Sequence, residues 1–205
     1  MRHVRRPELT GREPVHVTLR IADDVLRLRS RRCFTVICRA LAATCDRAGF
    51  RVNGVTVLGN HLHLLLEVAD ARALALGMRA LTVRLARGLN RLIGRKGPVF
   101  PDRYFVHVLR TPTEVLHAQK YVFGNHASHA ARNGRPLPDG YRDPYRVGYF
   151  GAEVVLPADG PRIVVPPETW LQTEGWRRAR IRRKAGAAPV SKGVRASRGR
   201  RGSAG

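Results

Sequence analysis

The segment from Arg51 to Val68 reads RVNGVTVLGNHLHLLLEV. Two runs rich in β-branched and apolar residues, 51–59 and 61–68, meet at Gly59 and Asn60. This dipeptide is typical of the tight turn that joins neighbouring antiparallel strands. The sequence therefore predicts a β-hairpin, and the rest of the fold is arranged around it.

The second strand of this hairpin carries a histidine pair, His61 and His63. Side chains two residues apart in a strand share a face, so both imidazoles should project together. Leu62, Leu64 and Leu66 should line the opposite face, toward the core. Two imidazoles placed in this way can bind one metal ion, although an isolated His-x-His pair also fits ordinary histidines on the wetter face of a sheet.

Further elements are predicted on both sides of the hairpin. An alternating strand at 15–21 and an amphipathic helix at roughly 29–48 precede it. A second helix at roughly 71–94 and a strand at 102–110 follow it. The order β-α-β-β-α-β, with one more helix after it, predicts an α+β, ferredoxin-like fold in which helices pack on an antiparallel sheet.

The additional helix should begin in the sequence TPTE at 111–114 and extend to about residue 131. Its threonine can cap, its proline suits the first helical position, and its glutamate completes a capping box. His117, Tyr121 and Asn125 follow at spacings of four residues and share one helix face. Tyr121 is either an aromatic at the boundary of the core or a nucleophile beside an amide that can reach a metal.

The charge of the chain indicates an anionic partner. Lys and Arg number 38 against 15 Asp and Glu, which gives a formal net charge of +23. Such an excess is typical of proteins that bind nucleic acid, and no apolar run is long enough to suggest a membrane span. The first 14 residues lack the apolar segment of a secretory signal. We therefore expect a cytoplasmic, nucleoid-associated protein.

Composition divides the chain into four segments. A short N-terminal arm, 1–13, precedes the domain at 14–132, which carries the candidate site residues, and a Pro- and Gly-rich extension at 133–176. The last segment, 177–205, contains 11 basic residues and no acidic one, so it is predicted to be a disordered basic tail. The three cysteines show no C-x-x-C spacing, which argues against a zinc site or a disulfide framework.

The run from residue 14 to about 131 resembles the single-tyrosine HUH transposases, and most closely the REP-associated tyrosine transposases. Four blocks in the expected order carry the resemblance: PVHVTLR, LGNHLHLLLE, GPVFPDRYFVHVLRTPTE and KYVFGNH. The resemblance implies an HUH endonuclease fold. It also implies a transposase-like enzyme that cuts and rejoins single-stranded DNA at hairpin-flanked sites through a 5′-phosphotyrosyl intermediate.

The same resemblance implies roles for individual residues. Tyr121 matches the nucleophile on the helix, and His61, His63 and Asn125 match the groups that hold a divalent metal, Mg²⁺ or Mn²⁺. Many relatives have proline after that asparagine, whereas this chain has His126, which leaves the third ligand open. Tyr104, in the block Asp102-Arg103-Tyr104, is a rival nucleophile, although its place beside Phe105 favours a packing role.

Single-stranded or hairpin DNA is the implied partner, and a homodimer that shares its active sites is the implied assembly. Four arginines step along one face of the second helix with a spacing that could follow a phosphate backbone, although they also fit a solvated face. The expected DNA-binding residues are Arg84, Arg87, Arg91, Arg95 and Arg103.

Two other functions remain open. A domesticated or inactive relative would bind DNA hairpins without cutting them. A two-histidine phosphoesterase is suggested by His16-Val17-Thr18 together with His61-Leu62-His63. That class of enzyme has Ser or Thr where His63 stands, and it needs no nucleophilic tyrosine.

Overall fold

A computed structural model describes residues 8–23, 25, 27–157 and 160–186. Its secondary structure confirms an α+β fold in which helices lie on both faces of an antiparallel sheet. The strands are β1 (Pro14–Arg20), β2 (Asp46–Arg47), β3 (Phe50–Val57), β4 (His61–Val68), β5 (Phe105–Val108), β6 (Arg146–Phe150) and β7 (Glu153–Val155). The helices are α1 (Arg31–Ala42), α2 (Ala71–Ile93), α3 (Pro112–Arg132) and α4 (Trp176–Gly186).

The strands of the sheet run in the order β5-β1-β4-β3-β6-β7, and β2 pairs with β3 outside this path. Each pairing is antiparallel. The part β5-β1-β4-β3, with α1 and α2 as its crossovers, is the ferredoxin-like arrangement predicted from the order of the elements. The predicted β3–β4 hairpin is also confirmed, with Val57 opposite Leu62 beside the turn.

The main core lies between one face of this sheet and the helices α1 and α2. Leu62, Leu64 and Leu66 point into it and are at most 1% exposed, as the alternation of β4 predicts. They meet the leucine stripe of α2. Full burial of a leucine side chain is worth roughly 1.5–3 kcal/mol, so these contacts hold β4 firmly in register.

A second core lies on the other face of the sheet, under α3 and α4. Leu65 of β4 packs there with Val122, Phe150 and Trp176. The predicted capping box of α3 is present: the side chain of Thr111 accepts from the backbone N–H of Glu114, and that carboxylate accepts from the N–H of Thr111. The face of β4 that carries the histidines is therefore covered by α3, and the capping box fixes where this helix begins.

Two elements are shorter than the sequence predicts. Helix α1 begins after its cap Ser30 and ends at Ala42, because residues 46–47 pair with β3 as β2. Strand β5 comprises only 105–108. Both differences lie at element ends, where local periodicity is a poor guide to hydrogen bonding.

Residues 133–176 complete the fold. Strand β6 pairs with β3, and Ile163 and Val164 are buried in the main core. At the pairing of β6 with β3, Gly148 has φ +144°, and a Cβ there would lie 2.3 Å from the Cα of Gly54. The two strands can approach this closely only because residue 148 is glycine, whereas a Cβ at Gly54 would meet the ring of Phe150.

Helix α4 corrects the prediction of a wholly disordered tail. Residues 177–186 are helical and directly follow a π-helical turn, Leu171–Gly175. Trp176 and Ala179 are buried against α3, which gives this basic segment an apolar anchor. The rest of the predicted tail, 187–205, and residues 1–7 of the N-terminal arm lie outside the described residues. Within the described ranges, no helix has the length and apolar character needed to cross a bilayer.

Candidate active site

The predicted histidine strand and the predicted tyrosine helix meet at His63. This imidazole is 2% exposed, because α3 lies directly over it. The side-chain amide of Asn125 on α3, also 2% exposed, donates from Nδ2 to Nε2 of His63 over 2.9 Å. His63 is therefore a buried residue between two layers, and the sequence-based expectation that it lies outside the core is wrong.

Strand β1 adds two groups to His63. Thr18 is its register partner, and Thr18 Oγ1 lies 3.1 Å from Nδ1 of His63. The Nε2 atom of His16 lies 3.0 Å from the same nitrogen. Because Asn125 donates to Nε2, the proton of neutral His63 resides on Nδ1, which can donate to His16 or Thr18.

These imidazoles are held in the neutral form. Burial lowers the pKa of His63 to about 3, with smaller contributions from the neighbouring His16 and His61. Burial likewise lowers the pKa of His16 to about 4, with a contribution from His107. Burial is also the main reason why the pKa of His61 lies below its ordinary value. All three are unprotonated at neutral pH, which is the state required of a metal ligand.

His61 is oriented by its neighbour in the chain. Its Nδ1 lies 2.8 Å from Oδ1 of Asn60, an acceptor, so Nδ1 carries the proton and Nε2 keeps its lone pair. The rings of His61 and His63 are 4.9 Å apart between centroids. A hydrogen bond from the other ring nitrogen, which fixes the tautomer, is common in histidines that bind metals.

Asn125 and the two histidines of β4 together offer some of the donor atoms that a divalent cation needs. The Oδ1 atom of Asn125 is buried and has no hydrogen-bond partner among the described residues, and the amide N–H occupies the lone pair of His63 Nε2, so a cation at this nitrogen would require the amide to turn and present Oδ1 instead. One amide oxygen and two imidazole nitrogens suit Mn²⁺ and are acceptable to Mg²⁺. Across the described ranges, no three His, Cys, Asp or Glu side chains are arranged to hold a metal.

Tyr121 lies over this cluster at the surface of the protein. Its side chain is 50% exposed, and its ring meets those of His63 and His16 edge-on, at 5.3 and 6.0 Å between centroids. Asn125 follows one helical turn later, as the i, i+4 spacing predicts. The structure thus brings Tyr121, His61, His63 and Asn125 together. Tyr121 and, in part, His61 are open to solvent, whereas His63 and Asn125 are buried beside them.

The other candidate residues lie elsewhere. Tyr104 packs partly buried against the main core, on the far side of the sheet from Tyr121. His126 turns toward Asp143 and Tyr141, with its Nδ1 4.0 Å from Oδ2 of Asp143 and its ring 5.8 Å from that of Tyr141. It is Asn125, one residue earlier, that contacts His63.

The predicted DNA-binding arginines are also separated from the cluster. Helix α2 packs on the opposite face of the sheet, and its arginines at 84, 87 and 91 are exposed on its outer side. Arg95 follows the end of that helix and is partly buried. Arg103 is exposed just before β5, at the sheet edge next to β1.

A buried carboxylate on β4, Glu67, was missed by the sequence analysis. It is 4% exposed and accepts from the backbone N–H groups of Glu168 and Thr169, at 2.8 and 2.7 Å, and from the Thr169 hydroxyl at 2.7 Å. It thereby fixes the start of the helical segment that ends in α4. The one indication in the sequence is a glutamate that follows the apolar run Leu64–Leu66 of this strand.

Comparisons with known proteins give a fold relationship. No family model and no curated protein matches the chain. Among solved structures, a REP-associated tyrosine transposase bound to a REP hairpin is similar with TM-score 0.53 and 16% identity, over 80% of this chain and 100% of that one. At this identity the likeness concerns the fold.

Two further solved structures are more remote. A proposed transposase from Deinococcus radiodurans R1 has TM-score 0.40 and 14% identity, over 67% of this chain and 100% of that one. A bacterial tRNA(His) guanylyltransferase-like protein in complex with GTP has TM-score 0.42 and 15% identity, over 65% of this chain and 73% of that one. Neither of these bears on the function.

Proposed function

We propose that this chain is a transposase-like, metal-dependent endonuclease and strand transferase that acts on single-stranded DNA. The observation that carries the proposal is the position of Tyr121. Its exposed phenol ring meets the ring of His63 edge to face, and His63 is buried and hydrogen-bonded to Asn125. A nucleophile and a neutral set of metal donors thus share one surface site. The fold likeness to a REP-associated tyrosine transposase is consistent with it.

His61, His63 and Asn125 would hold the cation, Mg²⁺ or Mn²⁺. When bound, the cation would supply positive charge to a non-bridging oxygen of the scissile phosphate and offset the charge that develops in the transition state. Burial keeps the imidazoles neutral for this purpose, and Asn60 orients His61. Thr18 and His16 hold the proton of His63 on Nδ1, away from the side that faces Asn125.

Tyr121 would act as the nucleophile. Its hydroxyl oxygen forms a bond to phosphorus, the bond from phosphorus to the 3′ oxygen breaks, and the phenolic proton passes through solvent to the leaving oxygen. The products are a 5′-phosphotyrosyl linkage and a free 3′-hydroxyl. The reverse attack by a 3′-hydroxyl rejoins DNA and releases the tyrosine. Because the number of ester bonds is unchanged, no nucleoside triphosphate is consumed.

The proposed partner is DNA that contains a hairpin next to single-stranded sequence. A net charge of +23 favours a polyanion, and the structurally similar transposase was solved with a REP hairpin. We also propose a homodimer, by analogy with the family that the sequence resembles. The arginines of α2 would then contact phosphates away from the cut site, because they lie across the sheet from Tyr121.

The decisive experiment is incubation of the full chain with 5′- and 3′-labelled single-stranded oligonucleotides that carry a hairpin, with Mg²⁺ or Mn²⁺. The proposal expects protein covalently attached to the new 5′ end and a free 3′-hydroxyl on the other product. Hairpin binding without any adduct, over a range of hairpin sequences and both metals, would instead indicate an inactive DNA-binding relative.

A second candidate function is a two-histidine phosphoesterase. The specific observation in its favour is the contact between His16-Val17-Thr18 and His61-Leu62-His63 on adjacent strands, where His16 and Thr18 both reach His63. Such an enzyme would work in excess chelator and without Tyr121. Cleavage that survives both EDTA and Tyr121→Phe would establish it in place of the transposase-like reaction.

A further inference from the structure

A large apolar side chain is exposed near the candidate site. Phe105 is the first residue of β5, and its side chain is 65% exposed. Strand β5 forms one edge of the sheet. Single exposed apolar side chains are common on protein surfaces, so the exposure alone says little. The position of Phe105 relative to His63 is what distinguishes it.

Phe105 and His63 belong to one row of side chains across the sheet. Thr18 of β1 is the register partner of His63 on one side and of Phe105 on the other. Directly paired residues of antiparallel strands present their side chains on the same face. Phe105 therefore lies on the face that carries His63 and Tyr121, two strand spacings or about 10 Å from His63.

Exposed arginines precede and follow the strand that carries Phe105. Arg103 and Arg110 are exposed on either side of β5 in the chain. The neighbouring Val106 and Val108 turn toward the main core, whereas His107 is exposed and pairs with His16. The site face of this edge strand thus offers an exposed aromatic ring two residues after the exposed Arg103, and no residue of 103–110 is acidic.

We propose that Phe105 stacks on an unpaired base of the DNA strand whose phosphate occupies the site at His63 and Tyr121. An exposed aromatic ring on a basic protein is the usual platform for single-stranded nucleic acid, since every base has an apolar face, and this chain carries a net charge of +23. Stacking at this distance would fix the strand next to the scissile phosphate. Phe105 is then a positioning residue. This inference rests on the proposed function, because it takes the strand to be the substrate of Tyr121.

The test compares two probes of equal charge: a fluorescein-labelled 20-nucleotide oligo-dT, and the same backbone with all bases removed. Binding of the full chain is measured by anisotropy at about 300 mM salt in EDTA, where phosphate contacts are screened and no cleavage occurs. Phe105→Ala should weaken binding of oligo-dT by about 5- to 100-fold. It should leave the abasic probe unchanged, and Phe105→Trp should bind like the wild type.

The matched control is Val154→Ala on β7, another exposed apolar residue on a different strand, which should change neither probe. An equal loss on both probes, or no loss on either, would overturn the stacking role. A Phe105→Ala variant that changes only the oligomeric state would assign the residue to a protein interface and would also overturn it. Adduct formation by Tyr121 is measured separately, so failure of the proposed chemistry and failure of the stacking can be told apart.

Discussion

The amide of Asn125 on α3 donates to Nε2 of His63 on β4 over 2.9 Å, and both side chains are 2% exposed. This hydrogen bond joins two elements that are separated by 62 residues in the sequence. It fixes the height of α3 above the sheet, and with it the position of Tyr121, one turn earlier in the same helix.

Replacement of the proposed nucleophile should abolish the chemistry and spare the fold. Tyr121→Phe keeps the ring that contacts His63 and His16 but removes the hydroxyl. We expect a loss of covalent adduct of at least about 10³-fold, with hairpin affinity within about twofold of wild type. Denaturing gels of the labelled 5′ product measure the adduct.

The matched control for this variant is Tyr104→Phe, because Tyr104 packs on the other side of the sheet. It should form the adduct at the wild-type rate once protein is saturating. Reversed results for the two variants would move the nucleophile to the segment before β5.

Replacing either histidine of β4 should abolish metal binding and cleavage, but only the replacement of His63 should lower the stability of the fold. His61→Ala should abolish Mn²⁺ binding and cleavage with little change in Tm, because His61 is partly exposed. His63→Ala should also lower Tm by about 5–10 °C, since it empties a buried site and leaves Asn125 unpaired. Calorimetric titration with Mn²⁺ and thermal melts test both. Wild-type Mn²⁺ affinity in His61→Ala would exclude that residue as a ligand.

The buried imidazoles should make stability dependent on pH. The pKa of His63 is about 3 and that of His16 about 4 in the fold, whereas an unfolded histidine titrates near 6.5. Below pH 6.5 the unfolded state therefore binds more protons, so stability is complete above this pH and falls as the pH drops. Each histidine lowers the free energy of unfolding by at most about 1.4 kcal/mol for each pH unit. Both histidines contribute between pH 6.5 and pH 4, and only His63 contributes between pH 4 and pH 3.

Denaturant melts in the absence of metal measure this slope. His16→Gln removes one of the two groups and should flatten the dependence between pH 6.5 and 4. A variant as steep as the wild type would mean that other groups cause the loss of stability in acid.

The Glu67 carboxylate should hold the C-terminal helical segment on the sheet. Glu67→Ala leaves the N–H groups of Glu168 and Thr169 without their buried acceptor. We expect a loss of about 2–4 kcal/mol, or roughly 5–15 °C in Tm, and faster tryptic cleavage at the arginines of α4. Glu153→Ala, an exposed glutamate on β7, is the control and should melt like the wild type. Unchanged proteolysis in Glu67→Ala would show that the apolar contacts of Trp176 suffice.

The arginines of α2 should contribute to the affinity for DNA but not to the rate of the chemical step. Arg87→Ala combined with Arg91→Ala should weaken DNA binding and reduce the dependence of log affinity on log salt by about 0.7–0.9 per lost phosphate contact. Single-turnover cleavage at saturating DNA should stay within about twofold. A large fall in that rate would place α2 of a second copy beside the cut strand.

Local sequence patterns predicted the parts of this fold that depend on neighbours in the chain. The alternation in β4 placed Leu64 and His63 on opposite faces, and the capping box gave the start of α3. The contact of Asn125 with His63 followed only from a resemblance, because no periodicity specifies which helix covers which strand. Glu67 bonds to Thr169, 102 residues away, and a single sequence carries no trace of that pairing.

The C-terminal part of the chain shows the same limit. Residues 146–150 were assigned to a Pro- and Gly-rich extension, yet they form β6, where Gly148 packs against Gly54. Glycine is read as a loop residue by composition, but here it permits two strands to touch. Basic residues 177–186 were read as a tail, and burial of Trp176 against α3 makes them a helix.

The placement of Glu67 on the same face of β4 as His61 and His63 has an evolutionary consequence. Because the period of a strand is two, deleting or inserting one residue between His63 and Glu67 would put these two side chains on opposite faces of the sheet. One such event would therefore cost the chain either the site or the anchor of α4. Descendants of this chain should therefore vary in length within 133–142, between α3 and β6, and keep β4 free of gaps even where its individual residues are exchanged.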